Sequence, residues 1–208
     1  MITQLQFDSV VVDVSTEEVR GRRALQSPTW NDLRVLLHLL GTQQPKRCLE
    51  VGVYEGTTAK LLLDKGPHIE HYVGIDRTPD PTGKLTTPSV PGKHVKKDPR
   101  VELRLHRLGT RGLDAITLPH GPFDWIFIDS DHSYRGVKFD TTWALNVLAP
   151  CGLLLWHDYG APSQYRPGGS VFGVKKYLDE LARRHSIMSF VDPAHSSSVA
   201  FTWRENLV

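Results

Sequence analysis

The chain has only two cysteines in 208 residues and no CxxC pair. A disulfide framework and a cysteine-based zinc site are therefore excluded. Cys48 opens one apolar stretch and Cys151 opens a later one. With other strands between them the two cannot bridge, so both are expected to be reduced, buried residues of a cytoplasmic protein. No apolar run approaches the ~20 residues of a membrane-spanning helix. The opening MITQLQFDSV lacks a basic region followed by an apolar one, so no secretory leader is expected. A net charge of +2 is too small to argue for nucleic acid by itself. No internal repeat or domain linker interrupts the chain. What remains is the composition of one α/β domain, long enough to bury a sizeable core.

One stretch organises the rest: Cys48 to Thr58, CLEVGVYEGTT. It reads as a strand at 46–51, a turn with Gly52 and Gly56, and a helix at 57–65 stopped by Gly66 and Pro67. This is the layout of a nucleotide-type site at the carboxyl edge of a sheet. Glycine lets backbone approach a ligand, and a helix start offers free N–H groups. A dinucleotide turn has glycine where this chain has Glu50. A carboxylate there would repel a pyrophosphate but not an ammonium or sulfonium. The turn thus suits a nucleoside with a cationic tail, and S-adenosylmethionine is such a ligand. The candidate contacts are Glu50, Gly52, Val53, Tyr54, Gly56, Thr57 and Thr58.

Before this stretch, residues 1–14 alternate weakly (Leu5, Phe7, Val10, Val12, Val14), as an edge strand or a hairpin outside the main sheet. Ser27-Pro28-Thr29 reads as a helix start, and Leu33, Leu36, Leu37 and Leu40 define a helix ended by Gly41. That helix is expected to pack on the core. Residues 1–44 form an accessory segment and a candidate homodimer contact.

After it, a strand at 71–76 ends in Asp76, 20 positions beyond Gly56, where an acid can accept both ribose hydroxyls. Arg77 adjoins it. The stretch 77–100 holds five prolines with Lys84, Lys93, Lys96, Lys97 and Arg100, and is expected to be a long, mobile, basic loop. A strand at 101–106 leads to Leu108-Gly109-Thr110, at the adenine end of the ligand, and a short helix is expected at 111–118. FDWIFID (123–129) reads as a central parallel strand. Ser133 can cap a helix at 134–148 that Pro150 stops. A strand at 152–157, a helix at 171–185 capped by Ser170, and an antiparallel pair at 187–191 and 198–203 complete the chain.

A second constellation follows from this order. If the strands at 123–129 and 152–157 are neighbours, Asp129, Asp131, His132, His157 and Asp158 meet at the edge that carries the glycine turn. Asp129 and Asp158, with His157, can hold a divalent cation, Mg²⁺, Mn²⁺ or another. The cation would lower the pKa of a substrate hydroxyl. Asp131 or His132 can take the proton. The plainer roles are a helix cap for Asp131 and a backbone-bonded ring for His157.

Together CLEVGVYEGTT, YVGID, FIDSDHSYRGV and LLWHDYGA resemble class I S-adenosylmethionine-dependent methyltransferases. More narrowly, they are similar to the bacterial group that includes the sugar O-methyltransferases of macrolide and aminocoumarin biosynthesis. The resemblance spans roughly residues 45–180. It implies an α/β fold, a three-layer αβα Rossmann-like sandwich with a mostly parallel seven-stranded sheet and a C-terminal antiparallel hairpin. It implies cofactor contacts at Glu50, Gly52, Gly56 and Asp76, with Arg77, Gly109, Asp129 and Ser130 beside them. The metal-binding acids of that group map onto Asp129, His157 and Asp158, and its base maps onto Asp131 or His132. His157 departs from the group, which has an acid there, and neutral imidazole favours a transition metal over magnesium.

The leading expectation is methyl transfer to an oxygen of a small molecule such as a sugar or other polyol. A nicotinamide oxidoreductase shares the fold and the ribose acid, but Glu50 argues against it. A nucleic-acid methyltransferase is motivated by the basic loop, yet base-methylating signatures such as NPPY are absent after the 123–129 strand.

Overall fold

The computed structural model describes residues 2–6, 30–79, 90–159, 172–191 and 198–207. Eight strands form one sheet: β1 (Thr3–Gln6), β2 (Arg47–Val51), β3 (His71–Asp76), β4 (Val101–Leu105), β5 (Phe123–Ile128), β6 (Leu148–Trp156), β7 (Met188–Val191) and β8 (Ala200–Trp203). Their order is β1-β7-β8-β6-β5-β2-β3-β4, and β8 alone runs against its neighbours. Among the described residues four α-helices cover the sheet: α1 (Trp30–Gln43), α2 (Thr57–Lys65), α3 (Tyr134–Leu145) and α4 (Phe172–Leu181). The αβα sandwich and the antiparallel β7–β8 pair are as expected. Among the described residues the strand count is eight, because Thr3–Gln6 joins the edge of the main sheet, parallel to β7. Among the described residues no helix is long and apolar enough to cross a membrane.

The sheet separates two apolar layers. Trp125 and Phe127 of β5 face the layer holding Leu36, Leu40 and Leu62 of α1 and α2. Ile126 and Ile128, at the alternate positions, face Trp143, Ala144 and Leu178 of α3 and α4. The two-residue period of a strand thus feeds both cores, which is why β5 reads as almost continuously apolar. The neighbour relation needed for the second constellation holds, since β5 pairs in parallel with β6 and with β2.

Several local expectations are corrected. Helix α1 passes through Gly41 to Gln43, and Gln44 takes the left-handed position (φ 45°), its N–H donating to the Leu40 carbonyl at 2.9 Å. A glycine costs a helix only about 1 kcal/mol, less than the packing of the leucine face returns. Helix α3 stops at Leu145, and β6 begins at Leu148 and runs through Pro150. Its register shifts between the pairs Phe123–Leu148 and Trp125–Leu153, so residues 149–152 stand against a single residue of β5. Proline, which lacks the ladder donor, is tolerated in such a bulge. Cys151 is exposed there, while Cys48 is buried as expected. The helix expected at 111–118 is replaced by a 3-10 turn at Gly109–Gly112. A Cβ at Gly112 would overlap the His106 ring, so the segment folds as a tight turn against that ring.

Part of the basic stretch is also better ordered than its prolines suggest. Residues 90–100 form a turn docked on the glycine loop. The Gly92 N–H donates to Tyr54 O (2.7 Å) and that of His94 to Glu55 O (3.0 Å), with Val95 buried between. Arg100 donates to Asp98 and to the carbonyls of Leu63 and Gly66 at the end of α2. Residues 80–89 lie outside the described residues. So do Phe7, Val10, Val12, Val14, the start at Ser27-Pro28-Thr29, and the Ser170 cap.

One close approach fixes the site. Gly52 has φ 98°, and a Cβ on it would overlap the Asp129 carbonyl oxygen. Gly52→Ala is therefore expected to cost at least about 2 kcal/mol, from left-handed strain and the clash together. That corresponds to a fall in Tm of roughly 5 °C or more, and calorimetry of the purified variant checks it.

Candidate active site

The carboxyl ends of β2, β3, β4 and β5 surround a cavity lined by Val51, Gly52, Tyr54, Ile75, Asp76, Arg77, Leu108, Gly109, Thr110, Arg111, Asp129, Ser130, Asp131 and Asp140. Seven of the residues expected to touch a cofactor are on its wall: Gly52, Tyr54, Asp76, Arg77, Gly109, Asp129 and Ser130. Asp76 also braces the turn, because its carboxylate accepts from the N–H groups of Tyr54 (2.5 Å) and Arg77 (2.6 Å). Burial raises its pKa in spite of these bonds.

Five expected contacts are elsewhere. Val53 is buried and packs against Gly74. Gly56 lies under the docked 90–98 turn, where a Cβ would come within 2.8 Å of Val95 Cγ2. Thr57 and Thr58 open α2 beneath that turn and do not line the cavity. Glu50 is 1% exposed and accepts from the Tyr72 hydroxyl at 2.9 Å, one layer below the cavity.

Asp140 was not singled out by its sequence context. It lies on α3, faces the cavity, and accepts from the hydroxyls of Thr110 and Ser130. Nothing local distinguishes it from a solvent-facing helix acid. Only the fold brings the tips of β4 and β5 over it.

The second constellation assembles at the tips of β5 and β6, with one exchange of roles. His132 Nε2 lies 3.0 Å from Asp158 Oδ2 and 3.5 Å from Asp129 Oδ1. This nitrogen is shielded from solvent, although the side chain is half-buried, and neither approach closes as a hydrogen bond. Asp129, His132 and Asp158 each offer a ligand atom, all within 4.8 Å of one another. His157 is 3% exposed, and both ring nitrogens face carboxylates: Nδ1 lies 3.0 Å from Asp129, and Nε2 lies 3.3 Å from Asp32. Both nitrogens of His157 are thus occupied, and it is the ring of His132 that lies with the candidate ligand atoms of Asp129 and Asp158. Asp131 also lines the cavity, and its carboxylate accepts from the Ser133 N–H at 3.0 Å and pairs with Arg111 at 3.5 Å.

The electrostatics follow from this packing. Burial opposes charge on His157, but Asp129 and then Asp32 outweigh it and lift its pKa well above the usual histidine value. Asp129 is held low by His157 and His132 against its own burial. Asp129, then Asp158, raise His132. Burial raises Asp158, which also adopts φ 63°, a strained backbone that the surrounding contacts must maintain. Asp32 escaped the sequence reading. The signal available was a carboxylate four residues before Leu36, within the apolar stripe of α1.

Burial pushes the Glu50 carboxyl up to about 8. An unfolded glutamate titrates near 4.3. Between the two values the folded chain holds a proton that the unfolded chain has lost, so stability falls as pH rises through that window. Urea denaturation at pH 6 and pH 8 is expected to show this loss, on the order of 1 kcal/mol per pH unit at most. Glu50→Gln should remove it. Equal losses in both proteins would mean that Glu50 is ionised in the fold.

The chain resembles solved methyltransferases over most of its length. It is similar to the O-methyltransferase TomG of Streptomyces achromogenes, involved in tomaymycin synthesis and solved with SAM (S-adenosylmethionine). Identity is 18%, coverage is 94% of this chain and 92% of that one, and the TM-score is 0.61. An O-methyltransferase of Bacillus cereus in complex with SAH (S-adenosylhomocysteine) gives 19%, 94%, 93% and 0.60. MycE, of the mycinamycin biosynthetic pathway, solved with Mg, SAH and mycinamycin VI, gives 17%, 95%, 54% and 0.54. At these identities the likeness shows the fold. No curated protein matches the chain in sequence. Residues 49–159 match the methyltransferase-domain family, which sets aside the nicotinamide reading. That match covers more than half of the chain, and the protein belongs to this family, the S-adenosylmethionine-dependent methyltransferases of class I.

Proposed function

We propose that the protein transfers the methyl group of S-adenosylmethionine to a hydroxyl oxygen of a small molecule, a sugar or other polyol. The observation that carries this reading is the double position of Asp129. It lines the cavity beside Gly52 and Asp76, and it belongs to the cluster with His132 and Asp158. Donor and acceptor would therefore meet at one carboxylate.

Asp76, on the cavity wall, would accept the ribose hydroxyls, and the base would lie against Leu108, Gly109, Thr110 and Asp140. The S–CH₃ bond breaks as the O–CH₃ bond forms, the hydroxyl proton leaves, and S-adenosylhomocysteine remains. The protein's tasks are alignment and deprotonation. His132 or Asp131 would take the proton when no cation is present. The orphaned Nε2 of His132 between two carboxylates also fits a divalent cation. Asp129, His132 and Asp158 would hold it, and a mixed nitrogen and oxygen set suits Mn²⁺ or a later transition metal better than Mg²⁺. When bound, such a cation lowers the pKa of a coordinated hydroxyl.

Titration calorimetry is expected to show one S-adenosylmethionine site per chain, and Mn²⁺ binding that Asp129→Ala abolishes. Turnover, read as S-adenosylhomocysteine released with a panel of polyol acceptors, should fall roughly 100-fold or more in Asp129→Ala. Near-normal turnover in that variant would overturn the site. Activity that survives chelator, with no Mn²⁺ bound, assigns deprotonation to a side chain, His132 or Asp131, without a cation.

A further inference from the structure

Asp32 lies on α1, outside the segment 49–159 that matches the family, yet its side chain has no exposure at all. A carboxylate in that setting costs several kcal/mol unless it is paired and hydrogen-bonded. Its partners come from two distant parts of the chain. Oδ1 accepts from the Ser198 N–H (2.5 Å) and hydroxyl (2.9 Å), just before β8. Oδ2 faces His157 Nε2 at 3.3 Å, at the tip of β6. The other face of that imidazole meets Asp129 Oδ1 at 3.0 Å. The three groups form a continuous carboxylate–imidazole–carboxylate row from α1 to the cluster.

We propose that Asp32 is a positioning residue of the methyl-transfer site, acting on Asp129 through His157. This rests on the reading of Asp129 given above. An imidazole at a strand tip can turn about its Cβ–Cγ bond and can place its proton on either nitrogen. Asp32 fixes the ring plane, and with carboxylates facing both nitrogens the ring carries a proton on each, Nε2–H toward Asp32 and Nδ1–H toward Asp129. Nδ1–H is then presented to one oxygen of Asp129. The second oxygen of Asp129 stays available to the acceptor hydroxyl or to a cation. The Phe127 ring, edge-on to His157 at 6.1 Å, supports the same orientation from the core side.

Two variants separate positioning from mere stability. In Asp32→Asn the carbonyl can keep the Ser198 bonds, and the amide would donate to Nε2. The ring must then keep Nδ1–H toward Asp129. In Asp32→Ala nothing holds Nε2. At a fixed interval below each Tm, Asp32→Ala is expected to lose 10- to 100-fold in kcat. Its S-adenosylmethionine Kd should stay within about twofold, and Asp32→Asn should recover most of the loss. Unchanged kcat in Asp32→Ala, or equal loss in both variants, overturns the inference. Should Asp32→Ala fail to fold, the ¹⁵N imidazole spectrum of Asp32→Asn decides. A retained Nδ1–H with Nε2 deprotonated upholds the inference, and loss of Nδ1–H overturns it. An active Asp129→Ala would point instead to failure of the site reading itself. A dead Asp129→Ala beside a fully active Asp32→Ala refutes this inference alone.

Discussion

Parallel pairing in strict register is the constraint from which this site follows. Ile75, Val51, Ile128 and Trp156 occupy one row across β3, β2, β5 and β6. The next residue on each strand is Asp76, Gly52, Asp129 and His157, so the row delivers four site residues side by side. Backbone bonds extend the ladder past the strand ends. The N–H groups of Gly52, Asp129 and His157 donate to Ile75, Val51 and Ile128 at 2.8, 2.8 and 3.0 Å. A shift of one residue in any pairing would turn the tips over, since side chains alternate with a period of two. Gly52 is needed because the ladder brings its backbone against the Asp129 carbonyl.

Charge balance gives the same edge its chemical preference. Asp32, Glu50, Asp76, Asp129, Asp140 and Asp158 all lie in or just beneath it, and four of them are raised or neutralised by burial and by one another. His157 neutralises part of this excess from within the core. A site with surplus acid favours a positively charged guest, whether a sulfonium, an ammonium or a divalent cation. Glu50, kept protonated by its burial, adds little charge from the layer beneath, and its bond to Tyr72 ties β2 to β3.

The docked 90–100 turn changes the meaning of the α2 N-terminus. From the sequence, Gly56, Thr57 and Thr58 look like a bare helix start offered to a ligand. In the fold, the backbone of Gly92 and His94 bonds the loop before it, and Val95 fills the space over Gly56. The cavity wall is formed instead by residues such as Tyr54, Leu108, Gly109 and Asp140, which come from three separated parts of the chain.

Local chemistry decided a good deal by itself. The strand, glycine turn and helix at 47–65, the acid closing β3, the Ser133 cap and the buried β5 all arise from short-range patterns, and each forms as read. Apolar period, glycine torsion and capping act within a few residues, so the sequence alone carries them. The departures have another origin. Only the three-dimensional arrangement made His132 rather than His157 the third member of the cluster, because Asp32, 125 residues away, occupies the far nitrogen of His157. Only the bulge in β6 exposed Cys151, and only the packing of α3 against the 3-10 turn and the tip of β5 brought Asp140 to the cavity. Which nitrogen is free and which acid is shielded depend on partners distant in sequence, and the packing of the whole sheet selects them.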